Sequence, residues 1–281
     1  MQKLTFDSVR KEISEQLSPE YGAESVSLAR NLLCDYYDIS FTQLILNANQ
    51  SIGVSDYESL CSYVERLKRY EPLQYIIGHT QFCGLRFEVN SSVLIPRPET
   101  QQIVDLVSER LIGTESVLDI GTGSGCIPIA IKKRKPNARV SAVDVSKEAL
   151  AVAKRNSIQN GVEVNFVKCD ILREMPQGEY EIVVSNPPYV CDEERSDMQK
   201  NVLDYEPSLA LFVPNNNPLL FYREIARKCM SGLLKPNGYL FFEINERFGM
   251  ETEEMLRGMD YKRVEVVKDY CNKDRFVVAM R

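Results

Sequence analysis

Residues Val117-Leu118-Asp119-Ile120 form a short buried-type strand that runs directly into Gly121-Thr122-Gly123-Ser124-Gly125, and a helical segment, Ile127–Arg134, follows. Glycines so placed permit positive φ at the turn and let a ligand approach the backbone closely. On the glycines alone, a tight strand–helix turn without a ligand stays open. A second strand, Val140–Val143, then ends at Asp144, nineteen residues after Gly125. An acid at that tip can accept hydrogen bonds from both hydroxyls of a ribose. Turn and acid together favour a nucleoside cofactor in the crevice at the carboxyl ends of the strands.

The rest of the chain fits an α/β unit preceded by something different. Residues 1–74 carry helical spacing in four or five short segments, around Val9–Leu17, Ser25–Tyr37, Phe41–Ala48 and the run Leu60, Val64, Leu67. Ser55 and Glu58 have the spacing of a capping box for the last of these. Between 75 and 98 the pattern changes to short extended runs, consistent with a β-hairpin linker closed by Pro96-Arg97-Pro98. From 99 to 281 strand and helix alternate: helix Gln101–Leu111, strand Ser116–Ile120, helix Lys147–Asn160, strands Val164–Lys168 and Glu181–Val184, helix Pro218–Leu234 and strand Tyr239–Ile244. Two strands without a helix between them, Val264–Val267 and Phe276–Met280, close the chain and are expected to pair antiparallel.

Composition narrows the chemistry. Eight cysteines include no CxxC pair, and the chain has one histidine, His79. Metal sites and histidine triads are therefore not expected, and neither is a disulfide framework. The N-terminus lacks an uninterrupted apolar segment, and no stretch reaches the roughly eighteen apolar residues of a membrane span. A cytoplasmic chain is expected. Lys+Arg 34 against Asp+Glu 40 gives a net charge of -6, which disfavours free nucleic acid as partner.

The turn G-T-G-S-G preceded by Asp119 differs from the dinucleotide fingerprint and resembles the first motif of class I S-adenosylmethionine methyltransferases. That resemblance implies a Rossmann-like α/β fold with a seven-stranded mixed sheet. It also implies cofactor contacts from Gly121, Thr122, Gly123, Ser124, Gly125 and Asp144, with Asp170 and Ile171 placed for the adenine. A strand-end acid with no ligand is the alternative for Asp170.

Val183-Val184-Ser185 leads into Asn186-Pro187-Pro188-Tyr189, where paired prolines must end the strand. Asn186 offers a side-chain carbonyl, and Pro187 fixes a main-chain carbonyl beside it. Two rigid acceptors suit the hydrogens of a planar NH₂ group, with Tyr189 packed against the attached π-system. Such an amine aligned with an electrophilic methyl needs no histidine base. The motif pair resembles amino methyltransferases acting on DNA, rRNA or protein glutamine.

Glu71-Pro-Leu-Gln-Tyr-Ile-Ile-Gly78, Phe82-Cys-Gly-Leu-Arg-Phe87, Val93-Leu-Ile-Pro96-Arg97-Pro98-Glu99-Thr100 and Glu206-Pro-Ser-Leu-Ala-Leu211 then resemble the HemK/PrmC family, the peptide chain release factor glutamine N5-methyltransferases. The resemblance covers nearly the whole chain. It implies a helical substrate-recognition domain at 1–74, a methyltransferase domain at 99–281, S-adenosylmethionine as cofactor and release factors as partners. It places Asn186, Pro187 and Tyr189 in the catalytic role, has Asn186 contact the cofactor as well as the substrate, and sets Asn186, Pro187, Pro188, Tyr189, Arg97 and Glu99 around the glutamine. The chain departs from the family at Gln101, where Glu is usual, and at 212–218, where a glycine-rich segment is usual. A glutamine methyltransferase for a ribosomal protein, a DNA or rRNA amino methyltransferase and a cofactor-binding regulator remain as alternatives.

Overall fold

The computed structural model describes residues 4–281, which divide into two compact units: one made of the chain up to Gly78 together with Gln199–Tyr205, the other of His79–Met198 and Glu206–Arg281. In the first unit, helices α1 (Phe6–Tyr21), α2 (Ser25–Tyr37), α3 (Phe41–Leu46), α4 (Val54–Leu67) and α5 (Leu73–Ile77) surround a core. Val9, Ile13 and Leu17 of α1 meet Leu32 and Leu33 of α2 and Leu60, Val64 and Leu67 of α4 there. This apolar stripe at three- and four-residue spacing is what drives short helices together.

The expected cap at Ser55 is not used. An isolated bridge between Thr5 and Ser51, with Ile52 N donating to Leu4 O at 2.8 Å, holds the chain extended up to Gly53. Helix α4 therefore starts at Val54 with Gly53 as its cap, and Ser55 falls inside the first turn. Capping boxes form instead at Thr5 with Ser8 and at Ser40 with Gln43.

The second unit begins with a hairpin of β1 (His79–Phe82) and β2 (Leu85–Glu88). Its turn residues Cys83 and Gly84 both have positive φ, and Phe82 and Phe87 are buried. The chain continues through α6 (Gln101–Arg110), β3 (Ser116–Ile120), α7 (Cys126–Arg134), β4 (Arg139–Asp144), α8 (Lys147–Gln159), β5 (Asn165–Lys168) and β6 (Tyr180–Ser185). It then forms the short β7 (Val190–Cys191), α9 (Lys200–Tyr205) of the first unit, β8 (Phe212–Val213), α10 (Leu220–Lys228), β9 (Leu234–Glu243), α11 (Gly249–Gly258), β10 (Lys262–Lys268) and β11 (Asp274–Met280).

Seven strands make one sheet in the order β10-β11-β9-β6-β3-β4-β5. The five from β9 to β5 are parallel to one another; β11 pairs antiparallel with both β9 and β10. Side chains alternate across the central strands. Leu118, Ile120, Val183, Leu240 and Phe242 face one core with Tyr222 and Ile225, while Val117, Ile182, Val184 and Phe241 face another with Ile103, Val107 and Ile131. Apolar residues on both faces are what a sheet covered by helices on both sides requires.

Other stretches also differ from the sequence expectation: α5 runs to Ile77 where an extended segment is expected, and β7, α9 and β8 are short additions. Helix α10 ends at Lys228 and gives way to a wider turn at Cys229–Leu233, because Gly232 takes φ 118°, so strand β9 starts at Leu234 rather than Tyr239. Helix α11 was not expected, since only Gly249, Thr252 and Leu256 of its residues are buried, too sparse an apolar stripe to announce a helix. All eight cysteines are free; Cys126, Cys169, Cys191 and Cys229 are buried. No helix among the described residues is long and apolar enough to cross a membrane.

Candidate active site

The carboxyl ends of β3, β4 and β6 open onto a cavity of about 430 Å³. Gly121 and Gly123, Asp144, Asp170 and Ile171, and Asn186, Pro187 and Pro188 all line it. Other parts of the wall come from Ser92–Leu94, from Pro207, Leu209 and Ala210, and from Phe221 and Ile225 of α10. The volume lies in the range of small-molecule sites.

The glycine turn is stitched to β4. Gly121 N and Thr122 N both donate to Val143 O, at 2.9 and 3.1 Å. Its three glycines do different work. Gly121 and Gly123 have positive φ, 75° and 54°, and an added Cβ on either would meet nothing within 4 Å. At Gly125 a Cβ would come within 3.0 Å of Ala153 and Ile129, so this glycine lets α7 approach α8. Thr122, Ser124 and Gly125 do not line the cavity; Thr122 and Ser124 are buried. Asn156, fully buried on α8, donates from Nδ2 to Ser124 O (2.9 Å) and Glu88 O (3.0 Å) and accepts from Glu88 N at 2.6 Å. It ties the turn to the hairpin.

Asp144 takes Gly123 N on Oδ2 at 2.8 Å and Ser146 N on Oδ1 at 2.9 Å, leaving a lone pair on each oxygen for a further donor. Burial pushes its carboxyl above the usual range, and those N–H groups draw it part of the way back. Asp119, fully buried behind the turn, is pushed by burial up to about 7, with the Thr122 hydroxyl opposing and the Asp144 charge adding to the rise. Asp170 turns Oδ1 onto its own chain, accepting from Leu172 N at 3.0 Å, and Oδ2 toward Arg173 at 3.5 Å.

Strand β6 ends at Ser185, whose hydroxyl donates to Ile120 O at 2.7 Å and locks the strand exit to β3. Asn186 follows at the cavity wall, with Nδ2 3.5 Å from Thr100 Oγ1. Tyr189 does not line the cavity. Its hydroxyl donates to Glu243 Oε1 at 3.3 Å, and its main-chain carbonyl accepts from Asn245 Nδ2 at 3.2 Å. Arg97 and Glu99 also stay off the wall. Arg97 pairs at 2.7 Å with Glu206, whose other oxygen accepts from Ile95 N at 3.2 Å. Through this buried carboxylate the 92–97 segment and the 206–210 segment, both cavity walls, are fastened together. Sequence reasoning gave no role to Thr100 and Glu206, although both lie in the segments that carry the family resemblance, and it missed Glu243. For Glu243 a signal existed, an acid ending the apolar run Leu240-Phe241-Phe242.

The geometry agrees with comparison to known proteins. Residues 93–204 match the Methyltransferase small domain family and residues 8–78 the PrmC N-terminal domain family. A release factor glutamine methyltransferase of Bacteroides thetaiotaomicron is 42% identical over 96% of this chain and 98% of its own. The protein of the same name from Flavobacterium psychrophilum is 47% identical over 75% of this chain and 76% of its own. Among solved structures, a methyltransferase from Pyrococcus furiosus superposes with a TM-score of 0.53 at 21% identity, covering 70% of this chain and 89% of that one. The fold is that of the class I S-adenosylmethionine methyltransferases, with a helical N-terminal region added. Relatedness at this level over three quarters of the chain or more places it in the release factor glutamine methyltransferase family.

Proposed function

We propose that the protein methylates the side-chain amide nitrogen of the glutamine in the Gly-Gly-Gln loop of peptide chain release factors, in the cytoplasm, using S-adenosylmethionine. The observation that carries this reading is one cavity lined by the glycine turn, Asp144 and Asn186-Pro187-Pro188. The residues present suit the cofactor. Gly121 and Gly123 leave open space where side chains would stand, and Asp144 keeps free lone pairs for ribose hydroxyls. Asp170, Ile171 and Phe221 line the same cavity, and the first two are assigned to the adenine.

When bound, S-adenosylmethionine supplies an electrophilic methyl group on a positively charged sulfur. The chain supplies alignment. Asn186 Oδ1 and the main-chain carbonyl of Pro187 accept the two amide hydrogens of the substrate glutamine. These fixed dipoles favour a nitrogen that pyramidalises and gains positive charge. Holding the nitrogen in line accounts for much of the remaining acceleration. Once methylated the nitrogen is acidic, and its surplus proton leaves to water without a side-chain base. Pro188 and the ring of Tyr189 stiffen the loop that carries both carbonyls. Arg97 acts through Glu206 on the cavity wall, and Glu99 lies in the same loop. The helical region at 1–74 recognises the folded protein substrate.

The test is methyl transfer from radiolabelled S-adenosylmethionine, run side by side on a bacterial release factor, an isolated Gly-Gly-Gln peptide, a ribosomal protein and DNA. Label on the loop glutamine of the whole release factor, and much less on the peptide, is the expected result. Label on DNA or the ribosomal protein, with none on release factor, overturns the reading.

A further inference from the structure

Behind the Asn186-Pro187-Pro188-Tyr189 segment lies a carboxyl group that the mechanism above does not use. Glu243 ends β9, and because Phe242 pairs with Ser185, the last residue of β6, it stands level with Asn186 just past the end of that strand. It is 1% exposed, and Thr100, which opens onto α6, is 2% exposed. Tyr189 donates to Glu243 Oε1, Glu243 Oε2 is buried without a hydrogen-bond partner, Thr100 lies close enough to the carboxyl to favour its charged form, and Asn186 Nδ2 is 3.5 Å from Thr100 Oγ1.

We infer that Glu243 and Thr100 are positioning residues that orient the Asn186 amide, so that its carbonyl oxygen rather than its NH₂ faces the substrate nitrogen. The inference rests on the proposed reaction. An asparagine amide has two orientations of nearly identical shape, and only its hydrogen-bond partners choose between them. A carboxylate accepts and cannot donate. With Glu243 ionised, the Thr100 proton turns toward it and the Thr100 oxygen is left as an acceptor for Asn186 Nδ2. Asn186 Oδ1 is then turned away from Thr100. The same carboxylate receives the Tyr189 hydroxyl, and Asn245 holds the Tyr189 carbonyl, so both ends of the four-residue segment are set by β9 and its exit.

Protonation of Glu243 releases this direction. A neutral carboxyl can donate, Thr100 can turn, and Asn186 can present its NH₂ to the substrate NH₂, donor against donor. Burial pushes Glu243 up to about 7, opposed by Thr100, Arg275 and Tyr189 and reinforced by Glu99. Tyr222 and Cys126 face it from α10 and α7; both are buried with their own protons held firmly, so neither titrates in that range. Turnover should therefore fall as pH drops through about 7.

The experiment compares wild type, Glu243→Gln, Thr100→Val and Thr100→Ser with release factor as substrate. Thr100→Val and Glu243→Gln should lower kcat about a hundredfold, with cofactor affinity changed by less than about threefold. Thr100→Ser, which keeps the hydroxyl, should restore nearly full turnover. The acid limb of kcat present in wild type should be absent from the residual activity of Glu243→Gln. A second readout is independent of turnover: the ¹⁵N side-chain amide signal of Asn186 should shift with pH near 7 in wild type but not in Glu243→Gln. Wild-type kcat and an unchanged acid limb in Glu243→Gln would overturn the inference, as would Thr100→Ser falling as far as Thr100→Val. Should Glu243→Gln not fold, the two Thr100 variants decide. If wild type transfers no methyl to release factor, the proposed function fails, and the Asn186 amide signal still decides the inference.

Discussion

Glu181 sits near the amino end of β6 and Asp119 near the carboxyl end of its neighbour β3, so one sheet holds both carboxyls at opposite edges. Burial acts on both. Around Glu181 it is overcome: Lys235 Nζ lies at 2.5 Å, Ser116 N donates at 2.6 Å, the Ser116 hydroxyl donates as well, and the group is held at about 2. Around Asp119 burial wins, and the group rises to about 7. Glu243, at the same edge as Asp119, rises to a similar value. Donors therefore saturate the edge that only has to hold the sheet together. At the edge bordering the cavity, Asp119 and Glu243 are buried with too few donors, an arrangement that costs stability and recurs where chemistry is done.

The largest effect expected separates the two edges outright. Asn186→Ala should lower kcat about 10²–10³-fold, the cost of losing one fixed dipole at a reacting group, while leaving cofactor binding and melting temperature nearly unchanged. Glu181→Gln should do the reverse, lowering the melting temperature at neutral pH without changing kcat. Steady-state kinetics and thermal melts of both variants check this. If Glu181→Gln slows turnover as strongly as Asn186→Ala, the division between a structural and a working edge is wrong.

A subtler effect concerns pH. Asp119 has a folded value raised above its ordinary 3.8 to about 7, so the folded protein holds this proton more tightly than the unfolded chain does. Its contribution to stability is complete below about pH 4 and is lost as pH rises through about 7, a span worth up to about 4 kcal/mol. Asp119→Asn removes that loss, so it should gain stability relative to wild type between pH 5 and pH 8. Glu181 has a lowered folded value, and its contribution is present above its ordinary 4.5 and disappears as pH falls through about 2. The deficit of Glu181→Gln should accordingly shrink toward pH 3. Denaturation midpoints across pH give both slopes, and two slopes of the same sign would refute the contrast.

What could be read in the sequence follows the same division. The glycine turn, Asp144 and Asn186-Pro187-Pro188-Tyr189 were legible because the residue types themselves dictate the backbone: glycine permits the positive φ at 121 and 123, and paired prolines end β6. The alternation of strands and helices gave the sheet because its central strands are apolar on both faces. The roles of Glu206, Glu243 and Asn156 were not legible, since each acts on residues 32 to 111 positions away, and nothing in their neighbours along the chain marks the partner. Ser55 shows the converse, a correct local pattern overruled by the Thr5–Ser51 bridge.

The smallest effect expected lies between two adjacent residues of α8 that reach the same partner. Asn156 is buried and makes three hydrogen bonds that join Glu88 to Ser124 in the glycine turn. Asn156→Ala leaves the Glu88 N–H and two carbonyls without their partner, a loss of about 2–3 kcal/mol, and it should weaken cofactor binding by loosening the turn. Arg155 makes two hydrogen bonds to the Glu88 carboxylate at 2.8 and 2.6 Å, but its side chain is 51% exposed. Water and salt compete for such a pair, and ordering a long side chain consumes part of the attraction. Arg155→Ala should cost less than about 1 kcal/mol, with no change in cofactor affinity, and the cost should shrink further at high salt. Urea titrations at two salt concentrations, paired with cofactor-binding calorimetry, measure both variants. A loss from Arg155→Ala equal to that from Asn156→Ala would mean that the hairpin is held at its exposed edge, and that the buried amide is not what links it to the turn.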